Sequence, residues 1–342
     1  MQKTISERAA RRGLRELAGL AAAIAVLLVC TAISILMGAK DISPFDVRAA
    51  ILNPDADWTQ AIIARKRIIR TVFALLTGAA LGLSGTLMQA ITRNPVADPG
   101  ILGVNAGASL AVVIGVGFFG ISAANQFVWI ALAGAGGAAV AVYAIASLGT
   151  GGATPIKLAL AGAAMAATLS SLISALLLPR AEALSDFRFW QAGSLGRAST
   201  EAILAALPFC VIAAFVGFAS APALNALALG DEAAAGLGVR TGIVRAVNAC
   251  AGVVLCAAST AFAGPIGFVG LMAPHAVRSV LGTDYRIALP ASAIAGAALM
   301  TLADVAGRVV ARPMEIETGI VTAIIGAPVL IWVATKSGRT LA

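Results

Sequence analysis

Few side chains in this 342-residue chain could do covalent chemistry, and they are scattered. The one histidine, His275, sits in Ala273-Pro-His-Ala-Val-Arg278 with no partner evident from spacing. A general-acid or metal role would need one; the other reading is packing or hydrogen bonding. Cys30, Cys210, Cys250 and Cys256 all lie in apolar segments, without ligand spacing to His275. They read as inert buried thiols, not as a disulfide framework. Asp304 is the notable acid near the end of an apolar segment. An ionisable residue there is a functional candidate, but Arg308 follows one helical turn later, so a local ion pair is an equal reading. Gly115-Val-Gly117-Phe-Phe-Gly120 matches a dinucleotide fingerprint by letters only. It has no preceding strand and no acid in the expected place, so tight helix packing is the better account. No Gly-x-x-x-x-Gly-Lys-Ser/Thr run occurs. The chain therefore has no P-loop to cradle nucleotide phosphates, and any ATP-driven step belongs to another subunit. The expectation is no catalytic residue, no cofactor and no metal site.

The informative segments are backbone devices. In Arg93-Asn-Pro-Val-Ala-Asp-Pro-Gly-Ile-Leu-Gly-Val-Asn-Ala-Gly-Ala108, Pro95 and Pro99 remove donors and bias Asn94 and Asp98 away from helix. Gly100, Gly103 and Gly107 permit turns or close approach. Irregular backbone near a bilayer must face water, a cavity or protein. The run Leu227-Ala-Leu-Gly-Asp-Glu-Ala-Ala-Ala-Gly-Leu-Gly-Val-Arg240 predicts a short helix with acids near its start and glycine at its end. It is too polar to span, and is either a surface connector or a docking helix for a partner. In Ala263-Gly-Pro-Ile-Gly-Phe-Val-Gly-Leu-Met-Ala-Pro-His-Ala-Val-Arg278, glycines and Pro265 interrupt an apolar stretch and Pro274 interrupts it again. Such broken helices border translocation paths or are simply kinked packing helices.

The elements that must position these segments follow from composition. The chain is 60% hydrophobic and only 12% charged, where soluble domains carry roughly 25% charged residues. A spanning helix needs ~20 apolar residues. Ten segments qualify: 17–38, 68–91, 105–121, 126–148, 157–179, 200–220, 243–263, 267–282, 286–306 and 316–336. The fold class is all-α, a polytopic membrane protein with residues 1–16 as a cytoplasmic tail and 17–342 as one transmembrane domain. Arg8, Arg11, Arg12 and Arg15 fix the N-terminus inside, and an even number of spans brings Lys336 and Arg339 back to the same side. The first span reads as a retained helix, not a signal peptide. Segment 39–64, with Asp41, Asp46, Asp55 and Asp57, and segment 180–199, with Phe187, Phe189, Trp190 and Gly193, fall outside. Segment 221–242 falls inside. The formal charge of +8 is assigned to membrane topology and anionic lipid rather than nucleic acid. Arg65, Lys66, Arg67, Arg70, Arg308 and Arg312 nevertheless land outside, against the usual bias. Small residues, as in Gly78-Ala-Ala-Leu-Gly82, predict close helix contacts. Segments 68–179 and 243–336 share a loose rhythm that suggests duplication.

Together, Asn94-Pro-Val-Ala-Asp-Pro-Gly, the acidic-glycine segment at 230–238, Gly-Phe-Val-Gly-Leu-Met-Ala-Pro-His, Asp304-Val-Ala-Gly-Arg308 and Thr322-Ala-Ile-Ile-Gly-Ala-Pro328 carry a resemblance. The chain resembles, over nearly its whole length, the permease subunits of ABC importers for iron-siderophores, haem and cobalamin. Asp186-Phe-Arg-Phe-Trp-Gln-Ala-Gly-Ser-Leu195 and Arg93 to Ser109 look most like the ferric-catecholate members. The resemblance implies ten helices per subunit and a pathway between two permease subunits, identical or related. It implies two ATP-binding subunits on the cytoplasmic face and a periplasmic or lipid-anchored binding protein outside, in a cell inner membrane. It implies docking of that protein on Arg67, Arg70 and Arg308, which would account for their outer position. It assigns Asn94 and Val96 to the cytoplasmic gate, and Leu229, Gly230, Asp231, Glu232, Gly236, Leu237, Gly238 and Arg240 to ATPase coupling.

Two residues depart from the pattern. Ile69 stands where the family has proline before the second paired arginine. Glu315-Ile-Glu317-Thr-Gly319 replaces Glu-Leu-Pro-x-Gly, and the extra acid Glu317 is placed to pair with Arg308 or Arg312. The expected function is import of a ferric siderophore by alternating access, with no covalent chemistry in this subunit. Haem or cobalamin import is the nearest alternative. An ATP-independent transporter would want acids deep in its spans, and little beyond Asp304 answers to that. An intramembrane enzyme is opposed by the single histidine and the lack of paired acids.

Overall fold

The computed structural model describes residues 2–40, 42–53, 58–121, 124–148, 155–178 and 190–338. The expectations placed on Asp41, Asp55, Asp57, Arg339 and residues 179–189, Asp186, Phe187 and Phe189 among them, concern positions beyond the described residues. Regular structure among the described residues is entirely helical. In chain order the helices are α1 (Gln2–Leu36), α2 (Pro44–Leu52), α3 (Thr59–Thr92), α4 (Val104–Phe119), α5 (Ala124–Ala146), α6 (Pro155–Leu177), α7 (Thr200–Ala219), α8 (Ala221–Ala228), α9 (Asp231–Gly236), α10 (Thr241–Ala263), α11 (Val269–Leu281), α12 (Tyr285–Val310) and α13 (Thr318–Gly338). A 3-10 turn, Pro99–Leu102, precedes α4.

Each of the ten expected spans coincides with a helix, and among the described residues seven helices are long and apolar enough to cross a bilayer. Two helices start earlier than expected. α1 runs from Gln2, and α3 begins at Thr59, carrying the basic run Arg65 to Arg70 inside the helix. α2 was not anticipated, although its signal is local. Ser43 accepts from the Phe45 N–H, Asp46 accepts from the Ser43 N–H, and Pro44 opens the helix: a capping box with proline at the first position. α4 and α11 are short, 16 and 13 residues; α4 follows the irregular 93–103 loop, and irregular backbone before α11 takes the first two residues of its expected span.

Small residues set the packing. α3, α10 and α12 are the most buried spans, and α1 and α6 the most exposed. A Cβ added at Gly78 would lie 2.4 Å from the Gly296 carbonyl, and one at Gly82 would lie 2.2 Å from that of Ser292. The predicted Gly78–Gly82 stripe is therefore the contact of α3 with α12. Gly85 sits still closer to α11, where a Cβ would fall 1.7 Å from the Gly270 carbonyl oxygen. Gly115 meets the side chains of Ile130 and Ile121, while Gly120 ends α4 at φ 61.

Of the two readings open for Pro274, the helix continues through it: Pro274 lies inside α11. Proline removes the donor that would serve the carbonyl four residues earlier, which is that of Gly270. The Gln89 side chain of α3 donates to this carbonyl at 3.3 Å, and Arg278, from the last turn of α11, donates to the side-chain oxygen Oε1 of Gln89. One glutamine thus fills the gap that Pro274 leaves and fastens α11 to α3. At the other end of α11, Phe268 adopts φ 69, and its ring occupies the space opened by Gly326 of α13, where a Cβ would clash at 2.3 Å.

Candidate functional site

α3 separates two polar ends. Arg70 and Arg93 stand about 35 Å apart along it at 1.5 Å per residue, close to the ~30 Å of a hydrocarbon core.

At the Arg67 end, the structure gathers Arg67, Arg70 and Arg308 but turns two of them inward. Arg67 is 6% exposed. Its guanidinium donates to the carbonyls of Leu36 at 2.8 Å, Ile35 at 3.4 Å and Lys40. Arg308, 2% exposed, donates to the carbonyls of Ser34 at 3.2 Å and Met37 at 3.1 Å and to the Ser34 hydroxyl at 2.9 Å. The last carbonyls of a helix have no intrahelical partner. Here arginines from α3 and α12 supply the donors that the end of α1 lacks, and they also complement its dipole. Gly38 is required beneath Arg67, since a Cβ would come within 2.5 Å of the guanidinium.

Asp304 ties this end together. Its buried carboxylate accepts from Arg70 Nη2 at 2.8 Å and Nε at 3.0 Å, from Arg308 at 3.0 Å and from the Thr318 hydroxyl at 3.1 Å. The i, i+4 pairing of Asp304 with Arg308 is therefore present, as one part of a larger network. Arg70 also reaches Glu315 at 2.7 Å. Glu315, not Glu317, is the acid of this loop that joins the cluster. Only Arg70 and Glu315 retain open side-chain surface, 15% and 41%.

At the Arg93 end lies the proline-glycine loop. Arg93 closes α3 in the left-handed conformation, φ 51. Asn94 then folds a tight turn, its side chain accepting from the Val96 N–H at 3.1 Å and its carbonyl from the Ala97 N–H at 3.1 Å. Asp98 caps the 3-10 turn through the Gly100 N–H at 2.7 Å. Its carboxylate faces Gly270, where a Cβ would stand 3.1 Å away. Burial pushes the Asp98 carboxyl above its ordinary value, opposed by the Gly100 hydrogen bond. Asn105 accepts from the hydroxyl of Thr260 at 2.9 Å and from the thiol of Cys256 at 3.2 Å, both on α10. The irregular backbone is thus satisfied by protein, as it must be beside a membrane.

The polar segment 221–242 also lies at this end and folds as two short helices. α9 is bracketed by Gly230 at φ 111 and Gly238 at φ 79, conformations that glycine alone adopts readily. Leu229 and Leu237 flank it, 69% and 66% exposed. Glu232, Gly236 and Arg240 are also exposed, while Ala234 is buried. Asp231 pairs with Arg93 at 3.3 Å and Arg245 at 2.8 Å. Asn225 of α8 anchors the segment to α12, donating to Asp284 at 2.7 Å and accepting from the Tyr285 N–H at 2.9 Å.

Sequence reasoning quoted Arg93 without giving it a role and missed Arg245, Asn225, Asn105, Ser34 and Thr318. Each acts through a contact distant in sequence, and a lone polar residue gives no spacing signal. Asn225 has a partial one, since Asp284 is a recognisable helix cap. Among the described residues no cluster of three metal-ligating side chains occurs.

The chain as a whole is similar to known transport proteins. A profile described as the FecCD transport family matches residues 26–336. The ferric enterobactin transport system permease protein FepD of Escherichia coli (strain K12) is 42% identical over 92% of this chain and 94% of its own. The Fe(3+)-citrate import system permease protein YfmD of Bacillus subtilis (strain 168) is 40% identical over 93% of this chain and 94% of its own. A solved ABC transporter described as of metal-chelate type, in an inward-facing conformation, superposes with a TM-score of 0.80 at 27% identity, covering 94% of this chain and 99% of that one.

Proposed function

The chain belongs to the FecCD transport family, and from that premise we propose that it is the membrane-spanning permease of an ATP-driven importer for a ferric siderophore. The observation that carries the importer reading is α9. It is a six-residue helix between two glycine pivots, with Leu229 and Leu237 presented to solvent beside Glu232 and Arg240. An exposed apolar pair with a polar rim is the anatomy of a docking site, and the chain has no nucleotide-binding motif of its own. Its partners are two ATP-binding subunits at this end, a second permease across the pathway, and a binding protein at the Arg67 end. Both termini are then cytoplasmic, in a cell inner membrane.

The substrate class rests on the iron-chelate permeases named above. Among the described residues this end gathers three arginines with Asp304 and Glu315, a basic composition that suits an acidic binding protein. Arg70 is the arginine that meets this partner directly. Arg67 and Arg308 serve it by fixing the end of α1. Inside, Asn94 and Val96 form the cytoplasmic constriction, and ATP-driven displacement of α9 opens and closes it. The permease moves its cargo without covalent chemistry.

The test is uptake of labelled ferric catecholate, ferric hydroxamate, haem and cobalamin in a strain lacking this chain. A defect confined to a ferric siderophore supports the reading. A defect confined to haem or cobalamin overturns the substrate, and uptake that persists without any ATP-binding partner overturns the importer.

A further inference from the structure

The structure points to a specific mechanical link, and we propose that Arg93 is the positioning residue that joins α9 to the 93–103 loop. This rests on the permease reading above and names how its two halves communicate. Arg93 is one of two non-glycine residues with positive φ among the described residues. Such a conformation persists only where its surroundings hold it. Its side chain is engaged by α9. Asp231, the first residue of that helix, pairs with the guanidinium at 3.3 Å. Gly230 lies directly beside the guanidinium, a Cβ there standing at van der Waals distance, 3.8 Å, from Arg93 Nη1.

The next residue along the chain is Asn94, which already closes the turn onto Val96 and Ala97. No slack separates the ion pair from the loop. Displacing Asp231 pulls on a backbone position immediately before the turn. The same Asp231 Oδ1 also pairs with Arg245, in the first turns of α10, at 2.8 Å. Asp231 is therefore shared between a fixed helix and a loop, and a swing of α9 about Gly230 and Gly238 changes how it is shared. All three side chains are 38–45% exposed, so the pairs can exchange without moving charge out of water into a dry interior.

The test uses the complete transporter in proteoliposomes, with ATP hydrolysis, substrate uptake and retention of the ATP-binding subunits measured together. Arg93→Ala should keep the ATP-binding subunits and hydrolyse ATP, while uptake per ATP falls roughly tenfold, the size of ordinary site-to-site coupling. Arg93→Lys should recover most of the uptake. Wild-type uptake by Arg93→Ala would overturn the link. So would loss of the ATP-binding subunits, which would make Arg93 an anchor, or a parallel fall of hydrolysis and uptake, which would make it structural. If Arg93→Ala does not accumulate in the membrane, Arg93→Gln, which also removes the charge, carries the same test with the same outcomes. Failure of the permease reading is distinct: the wild-type chain itself would then bring down no ATP-binding subunit.

Discussion

Replacing Asp304 by asparagine should destabilise the protein far more than any change at the exposed acids. The carboxylate is fully buried and neutralises Arg308, 2% exposed, and Arg70, 15% exposed. Removing one partner of a buried pair costs about 3–5 kcal/mol, because the remaining charge is left uncompensated. Asparagine keeps one acceptor oxygen, and Arg308 keeps its bonds to Ser34 and Met37. The expected cost is therefore at the lower end, about 3 kcal/mol. Glu315→Gln cuts a pair whose acid is 41% exposed, and should cost about 0–1 kcal/mol. Reversible unfolding by SDS in mixed micelles, followed through tryptophan fluorescence, measures both. If Asp304→Asn lies within about 0.5 kcal/mol of wild type, or Glu315→Gln costs as much, then Asp304 is not what holds this end together.

Three further outcomes are expected. Gly85→Ala should lower stability by about 1–3 kcal/mol, because the new methyl meets the Gly270 backbone with no flexible side chain to yield; Gly242→Ala, with open space around it, is the control. Asn225→Ala should cost about 1–2 kcal/mol by stripping a partner from Asp284 and the Tyr285 N–H, with hydrogen exchange rising first at the start of α12. Asp98 gives a pH dependence. Its carboxyl is raised in the folded protein above 3.8, so the native state binds the extra proton; stability is full below that value and declines as pH rises through the raised one. Asp98→Asn should remove this decline while keeping the Gly100 bond, and an unchanged stability–pH curve would show that Asp98 contributes nothing to it.

The spans were legible because a bilayer leaves a coarse signal, ~20 apolar residues per crossing. The helix edges were less so. Residues 59–67 stay helical although basic, because Arg67 finds carbonyls at the end of α1 that no local pattern announces. Pro274 left a broken and a kinked helix equally open; the helix continues, and Gln89, distant in sequence, serves the carbonyl left free. The glycine stripe Gly78–Gly82 was readable as a contact, but not the partner it meets. At the functional ends, the residue types were identified and the orientation was not. Arg67 and Arg308 carry the charge expected of docking residues and spend it inward, since side-chain direction depends on what the neighbouring helix leaves unsatisfied.

The two ends also differ in how cheaply they can move. At the Arg67 end, buried arginines satisfy helix-terminal carbonyls and a buried carboxylate, so opening any contact exposes unpaired groups in a dry setting, at several kcal/mol. At the Arg93 end, the ion pairs of Asp231 are 38–45% exposed and each is worth about 0–1 kcal/mol. Water can replace either arginine there. A motion driven by a partner would therefore be taken up around α9 and the 93–103 loop, while the Arg67 end holds α1, α3 and α12 as one body. That asymmetry suits a transporter whose ATP-driven partners work from one side only. It also predicts that hydrogen exchange quickened by ATP would be concentrated at residues 93–103 and 229–240, with the helix ends around Arg67 and Arg308 unchanged.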